Sequence, residues 1–118
     1  MLVPTSGVQV TESSGRCAVL TISGDVGRDL VPAIRAALDE LIAEGRVRIV
    51  LDVRSITFMD SAGLGVLVYG VRNSEVEKGG VRLAGAGMQV RRLLNLSGLD
   101  EVISVFPDVD AALASWAS

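Results

Sequence analysis

The chain has 118 residues, 49% of them apolar and 21% charged, which suits one folded domain and leaves no room for a second. It contains no histidine, and this excludes a Ser-His-Asp triad, an HExxH zinc site and a histidine general base. Its net charge of -3 is the wrong sign for a nucleic-acid-binding protein, so we expect no nucleic-acid partner.

The sequence favours a soluble cytoplasmic protein over an exported or membrane-bound one. Its first residues lack the basic region and apolar run of a secretory signal. The longest run of small or apolar residues, 62–71, is shorter than the roughly 20 residues that span a bilayer, so no membrane partner is expected. The single cysteine, Cys17, cannot supply a disulfide or a zinc cage, and its alternating apolar surroundings favour an inert buried thiol.

The predicted elements begin with a hairpin. Apolar residues alternate with period two at Val8 and Val10 and again over residues 17–22, on either side of the turn-forming Ser13-Ser14-Gly15. This pattern predicts two antiparallel strands. The segment Gly24-Asp25-Val26-Gly27 breaks the alternation and ends the second predicted strand.

A helix and a buried strand are predicted next. Asp29 is a suitable N-cap for a helix whose apolar residues recur at spacings of three and four over residues 30–42. Gly45 ends that helix as a C-cap. Residues 47–53 are dense in β-branched side chains, as expected for a strand that is buried on both faces of a partly parallel sheet.

The second half of the chain continues to alternate between helices and strands. After a connection over residues 54–60, a helix is predicted from near Ser61 to about Lys78, where Gly79-Gly80 stop it. Further elements are predicted as a strand at 81–84, a helix at 88–96 ended around Gly98, a strand at 102–105, and a helix at 109–116 opened by Pro107-Asp108. The whole order predicts an α/β domain with a mixed, mainly parallel sheet, an antiparallel hairpin at one edge and about four helices.

Two glycine-containing segments resemble phosphate loops only in part. Gly63-Leu64-Gly65 and Gly85-Ala86-Gly87 do not complete GxGxxG, because Val68 and Val90 occupy the third glycine position, and no GK[ST] occurs. We therefore expect these glycines to mark close packing against a strand or against another protein, and not a nucleotide site.

Charged residues offer equally weak evidence for catalysis. Asp52 and Asp60 could be imagined as paired carboxylates, but a solvated strand end and a favourable charge at a helix start are the preferred interpretations. Arg91-Arg92 is expected to be a solvated pair on a helix surface.

The segment around Ser61 is the most informative part of the sequence. An apolar stretch leads into Asp60-Ser61 and then into a helix that contains glycine, which places Ser61 at or next to an N-cap. The plain interpretation is a capping serine, although Leu64 stands where a capping box would need Glu or Gln.

The run Phe58-Met59-Asp60-Ser61-Ala62-Gly63-Leu64-Gly65, followed by Gly79-Gly80 and by Leu93-Leu94-Asn95-Leu96-Ser97-Gly98-Leu99, resembles the anti-sigma factor antagonist family of bacterial STAS domains. The resemblance covers nearly the whole chain and implies a single STAS domain over residues 1–118, with a core over about 8–117. It also implies that Ser61 is phosphorylated by an anti-sigma factor that is itself a serine kinase, and that a serine phosphatase reverses the reaction. ATP belongs to the kinase, so no cofactor, metal or catalytic residue is expected in this chain.

The resemblance implies a partner-binding surface made from two segments. The first lies after the second strand, where family members usually carry Gly-Glu-[Leu/Ile]-Asp. This chain has Gly24-Asp25-Val26-Gly27, so Asp25 keeps the acidic group and Gly27 replaces the second aspartate. The predicted contact residues are Gly24, Asp25, Gly27, Asp60, Ser61, Ala62, Gly63, Leu64 and Gly65.

Two other function classes stay open on the sequence. One is a STAS binding module of another kind, such as a small-ligand sensor or a lipid-transport accessory subunit, in which Ser61 is only a helix cap. The other is an enzyme with an unusual glycine-rich phosphate loop, which measurable ATP or GTP affinity of the isolated chain would reveal.

Overall fold

A five-stranded sheet and four α-helices make up residues 7–116, the part of the chain that this computed structural model describes. Strand order follows chain order, with the first pair antiparallel and the others parallel, which confirms the predicted fold class. The predicted core, residues 8–117, extends one residue past the described range. The strands are β1 (Gly7–Ser14), β2 (Cys17–Val26), β3 (Arg48–Met59), β4 (Gly80–Ala84) and β5 (Ser104–Phe106). The helices are α1 (Val31–Ala43), α2 (Ser61–Val76), α3 (Met88–Ser97) and α4 (Val109–Ala114), with a short 3-10 helix at Leu99–Glu101.

The two faces of the sheet are covered unequally. Successive strand residues point to opposite faces, so Leu20 and Leu51 enter one apolar cluster while Val19 and Val50 enter another. The larger cluster also contains the buried faces of α1, α2 and α3. The smaller one has only four buried residues, and α4 supplies one of them, Ala112. Most of the hydrophobic stabilisation therefore comes from the face that α1, α2 and α3 cover.

Strands β2 and β3 are longer than predicted. The sequence pattern ended β2 at Gly24 and treated residues 54–60 as a connection, yet pairing continues through Asp25↔Phe58 and Val26↔Met59. Gly24 has φ +86 beside a register shift, so the strand bends there instead of ending. Strand β4 pairs with β3 only as far as Asp52, so the ends of β2 and β3 extend past the rest of the sheet as a pair. We call residues 23–26 of β2 and 55–59 of β3 the two-strand projection.

Helix α1 begins without the predicted Asp29 cap. Its N-cap position is Leu30, whose side chain makes no capping bond. The carbonyl oxygen of Gly27 instead accepts from the amides of Leu30 and Val31, at 3.1 and 3.2 Å. Pro32 follows and has no N–H to satisfy, so the first turn needs no side-chain cap. Gly45 ends the helix as predicted, with φ +83 and its amide bonded to the carbonyl of Ile42.

Helix α2 ends close to the predicted residue, but the glycines are not what stops it. The last helical residue is Val76, and Lys78, not a glycine, takes the left-handed conformation with φ 63. Gly79 is required for space, because a Cβ there would lie 2.0 Å from the carbonyl oxygen of Val47. Gly79 thus lets the chain enter β4 close to Val47, just before β3.

The C-terminal elements are shifted or shortened relative to the prediction. The 3-10 helix places β5 at Ser104–Phe106 instead of 102–105, and it leaves Val102 exposed. Asp108 caps α4 by accepting from the amide of Ala111 at 2.8 Å, as its position predicted. The helix ends at Ala114, two residues early.

Trp116 closes the small cluster from outside α4. The guanidinium of Arg82 in β4 lies 3.8 Å from the centroid of its ring. Burial, and then the nearby charge of Arg48, lower the pKa of Arg82.

Cys17, predicted to be buried, is half-buried at the start of β2.

Candidate functional site

Ser61 is the first residue of α2 and follows directly from the end of β3. Asp60 is the N-cap, and its Oδ1 accepts from the amides of Ala62 at 2.9 Å and Gly63 at 3.4 Å. The amide of Asp60 donates to the carbonyl of Val26 at 3.2 Å, which joins the helix start to the end of β2. Ser61 lies next to the cap, one of the two places that its sequence position allowed, so the interpretation of Ser61 as a capping serine was wrong. Its side chain is exposed.

The start of α2 is electrostatically suited to an anion. The first turn of a helix presents free amides and the positive end of the helix dipole, and α2 has no acidic residue in its first turn. Asp60 already uses the amides of Ala62 and Gly63. A second anion on Ser61 would therefore gain from the dipole but would stand beside a carboxylate.

The parallel pairing of β2 and β3 brings the two predicted contact segments together. Asp25 is exposed in the two-strand projection, and its Oδ1 accepts from Thr57 Oγ1 at 2.6 Å. A Cβ at Gly27 would lie only 3.1 Å from Asp60 Oδ2. Asp25, Gly27 and Asp60 line one shallow cavity of about 450 Å³. Gly24 is not part of its lining and pairs with Ile56 of β3.

The glycine at position 27 shapes this cavity. Because Gly27 has no side chain, Oδ2 of Asp60 faces open space. An aspartate at this position would place a second carboxylate against Asp60, and the two negative charges would repel each other.

The two glycines of the Gly63-Leu64-Gly65 segment have different environments. A Cβ at Gly63 would lie 2.5 Å from Met59 Cγ and 3.1 Å from Val26 Cγ1, so this glycine lets α2 pack on both strands. A Cβ at Gly65 would meet nothing within 4 Å. Gly63, a predicted partner contact, is thus buried and shapes the surface from below, while Gly65 is exposed, with half-buried Ala62 and Leu64 nearby.

Gln89 holds the end of β3 in place, which the sequence reasoning missed. Its Oε1 accepts from the amide of Met59 at 2.9 Å, and its Nε2 donates to the carbonyl of the same residue at 2.7 Å. The side-chain amide replaces the neighbouring strand at a point where β4 has already ended. Its only sequence signal is a polar residue in the first turn of the helix after Gly85-Ala86-Gly87.

Two large apolar residues are exposed beside this anchor. Phe58 precedes Met59 and is 52% exposed, and Met88 precedes Gln89 and is 77% exposed. Large apolar side chains that face solvent mark a candidate contact surface.

The other candidate charges do not form an acid-base pair. Asp52 is buried at 6% exposure and accepts from Arg54 Nη2 at 3.3 Å, so the prediction of a solvated strand end was wrong. Asp60 is engaged as a helix cap. Arg91 and Arg92 are both exposed on α3. Within residues 7–116, no three His, Cys, Asp or Glu side chains lie close enough to hold a metal, and no helix has the length and apolar character of a membrane span.

Comparisons with known proteins agree with this geometry. Residues 10–106 match the family model described as "Mlab, STAS domain". The anti-sigma-F factor antagonist RsfB of Mycobacterium tuberculosis is 30% identical over 107 residues, covering 90% of this chain and 85% of its own. An anti-sigma F factor antagonist of Paenibacillus polymyxa is 28% identical over 96 residues, covering 80% of this chain and 82% of its own. A crystal structure of an anti-sigma factor antagonist from Mycobacterium paratuberculosis, 25% identical, superimposes with a TM-score of 0.85 over 97% of this chain and 96% of its own.

Proposed function

The chain belongs to the STAS domain family, and on that basis we propose that it is an anti-sigma factor antagonist switched off by phosphorylation of Ser61. In its unmodified form it binds a cytoplasmic anti-sigma factor that is also a serine kinase, and so frees a sigma factor. Phosphorylation by that kinase releases the chain, and a serine phosphatase restores it. The names of the matched relatives support the antagonist role, which is one of binding and not of catalysis.

The observation that carries the proposal is the exposed hydroxyl of Ser61 at the first position of α2. A kinase reaches such a hydroxyl without local unfolding. The resulting phosphate adds about -1.5 to -2 charges where the helix dipole favours an anion, so the fold tolerates it.

The phosphate changes the surface far more than it changes the fold. Three carboxylates, Asp25, Asp29 and Asp60, already line the adjacent cavity with one cation, Arg28, so a phosphate on Ser61 adds to a net negative charge on one small area. A partner fitted to the neutral hydroxyl would then meet an unpaired anion. A hundredfold loss of affinity needs only about 2.8 kcal/mol, which an anion without a matching cation readily costs.

The composition fits a protein that receives a phosphate. The kinase supplies ATP, metal and the base that takes the serine proton, while this chain supplies the hydroxyl. A chain without histidine needs no acid-base machinery of its own for that role.

Treatment of the full chain with its cognate kinase and ATP tests the proposal. We expect the wild type to gain one phosphate by mass spectrometry and the Ser61→Ala variant to gain none. Ser13→Ala, which alters an exposed serine in β1, is the matched control and should be phosphorylated normally. Modification of Ser61→Ala at the wild-type rate would show that the site is wrong.

Binding measurements on the same variants test the switch itself. Ser61→Ala should hold the anti-sigma factor even with ATP present, because it cannot be modified. Ser61→Asp should bind at least about tenfold more weakly, equivalent to about 1.4 kcal/mol. Full binding by Ser61→Asp, with no phosphate found on the wild type, would instead favour a STAS binding module in which Ser61 only starts a helix.

A further inference from the structure

A groove on the outer surface of α1 and α2 continues the surface on which Ser61 lies. Its volume is about 450 Å³. We call it the α2 groove; its main lining residues are Arg35, Gly65, Val68, Tyr69, Arg72 and Val76. All except Arg35 belong to α2, and Gly65 is also part of the predicted contact surface.

The α2 groove is lined by two arginines, Arg35 and Arg72, and by no acidic residue, on a protein whose net charge is -3. The guanidinium of Arg35 lies 4.1 Å from the centroid of the Tyr69 ring, and the Tyr69 hydroxyl donates to Asp39, which fixes the ring. Arg72 is exposed. Neither arginine forms an ion pair within residues 7–116, so both charges are available to a partner.

Apolar surface lies beside these charges. Val76 is 77% exposed, and Val68 is half-buried at the base of the groove. Gly65 has no neighbour within 4 Å of its Cβ position, so the backbone of another protein could approach α2 closely there. This combination suits a segment that carries both acidic and apolar side chains.

The groove and Ser61 lie along one side of α2. Ser61, Gly65, Arg72 and Val76 are separated by four, seven and four residues, which keeps them on one face of a helix with 3.6 residues per turn. The 16 residues of α2 extend this face over about 22 Å.

The size of a stable interface calls for more surface than the Ser61 region provides. A standard complex buries about 800 Å² on each partner and involves roughly 20–30 residues a side. The contact residues expected from the sequence number nine, and Gly63 among them is buried. The α2 groove adjoins that surface through Gly65 and supplies charge as well as area.

We propose that the α2 groove is a second docking surface for the anti-sigma factor and receives an acidic segment of that partner with at least one apolar side chain. The proposal rests on the proposed function. Arg72 lies eleven residues from Ser61, about 16 Å along the helix, which is twice the Debye length of about 8 Å at physiological salt. The groove therefore contributes to affinity independently of the charge on Ser61.

The test measures binding of the purified full chain to its cognate anti-sigma factor by titration calorimetry. Arg35→Glu/Arg72→Glu should weaken binding by about tenfold or more, and high salt should weaken the wild type more than this variant. Arg91→Glu/Arg92→Glu makes the same change in net charge on α3 and should bind within about twofold of the wild type. Arg72→Glu alone removes no hydrogen bond or ion pair within the described residues, so it should keep the fold and still weaken binding.

Combination with Ser61→Asp separates the two proposals. The two effects should add, because the sites are too far apart to couple. If the groove variants bind with wild-type affinity while Ser61→Asp binds weakly, the groove proposal is overturned and the phosphorylation switch stands. An equal loss in the Arg91→Glu/Arg92→Glu control would also overturn the groove proposal, since the effect would then be one of overall charge. Weak binding by the groove variants with full binding by Ser61→Asp would overturn the phosphorylation switch and leave the groove in place.

Discussion

Gln89 shows how one side chain can replace a missing strand. Met59 is 1% exposed, so its amide and carbonyl need protein partners once β4 has ended. The side-chain amide of Gln89 uses its carbonyl oxygen and one of its two N–H donors to satisfy both groups. The residue that leads into Asp60 and Ser61 is thereby tied to α3.

Replacement of Gln89 by Ala should destabilise the chain. It would leave the buried amide and carbonyl of Met59 without partners, at a cost of about 2 kcal/mol in the free energy of unfolding. Urea denaturation measures the change, with Arg92→Ala on the exposed face of α3 as a control that should be near neutral. An unchanged midpoint for Gln89→Ala would mean that water satisfies Met59 equally well.

Some features at the scale of single residues can be predicted from the sequence, and others cannot. The cap at Asp108 and the glycine stops at Gly45 and Gly98 are local, so a few consecutive residues predict them. The bond pair from Gln89 joins residues thirty positions apart, and no local pattern announces it.

Helix α2 makes different use of the two glycines in its first turns. Gly63 faces Met59 and Val26, while Gly65 faces solvent. The sequence predicted that such glycines mark close packing on a strand or on another protein. The structure confirms the first use for Gly63 and leaves Gly65 without an internal reason to be glycine.

Alanine substitutions at these two positions should have opposite effects on stability. Gly65→Ala should raise the free energy of unfolding by up to about 1 kcal/mol, because alanine favours the helix and meets nothing. Gly63→Ala should lower it by about 1–2 kcal/mol, because the new methyl group conflicts with Met59. Thermal unfolding of the two variants measures both signs, and stabilisation by Gly63→Ala would contradict the packing described for α2.

The strand ends show why element boundaries were harder to predict than element types. Each predicted strand and helix exists, but β2 and β3 continue through Val26 and Met59, where their residues no longer alternate. Parallel pairing sustains these segments through backbone bonds, and a sequence pattern contains no record of which strands pair.

At the scale of the whole molecule, the second face of the sheet is its weakest part. Helix α4 has six residues, and its cluster has four buried side chains, whereas nineteen buried residues form the other cluster. Local opening is easiest where few apolar contacts must break. We expect α4 to open well before the sheet.

Hydrogen exchange and a tryptophan substitution test this difference. The amide of Ala112, bonded to the carbonyl of Asp108, should exchange faster than the central amides of α2. Trp116→Ala should cost about 2 kcal/mol by removing the contact with Arg82 and part of the small cluster. Affinity for the anti-sigma factor should stay at the wild-type value, because α4 packs on β3, β4 and β5. Equal protection of α4 and α2 would contradict the uneven core.

The two-strand projection has a consequence for how such proteins diversify. Val26 and Met59 on the projection belong to the large cluster, whereas Asp25 and Phe58 beside them are exposed. Substitutions at the exposed positions of the projection therefore alter the surface that is presented, while the buried residues that stabilise the fold stay unchanged. Duplicated copies of such a gene could acquire separate partners through a few changes there, so that parallel signalling pathways stay insulated while sharing one scaffold.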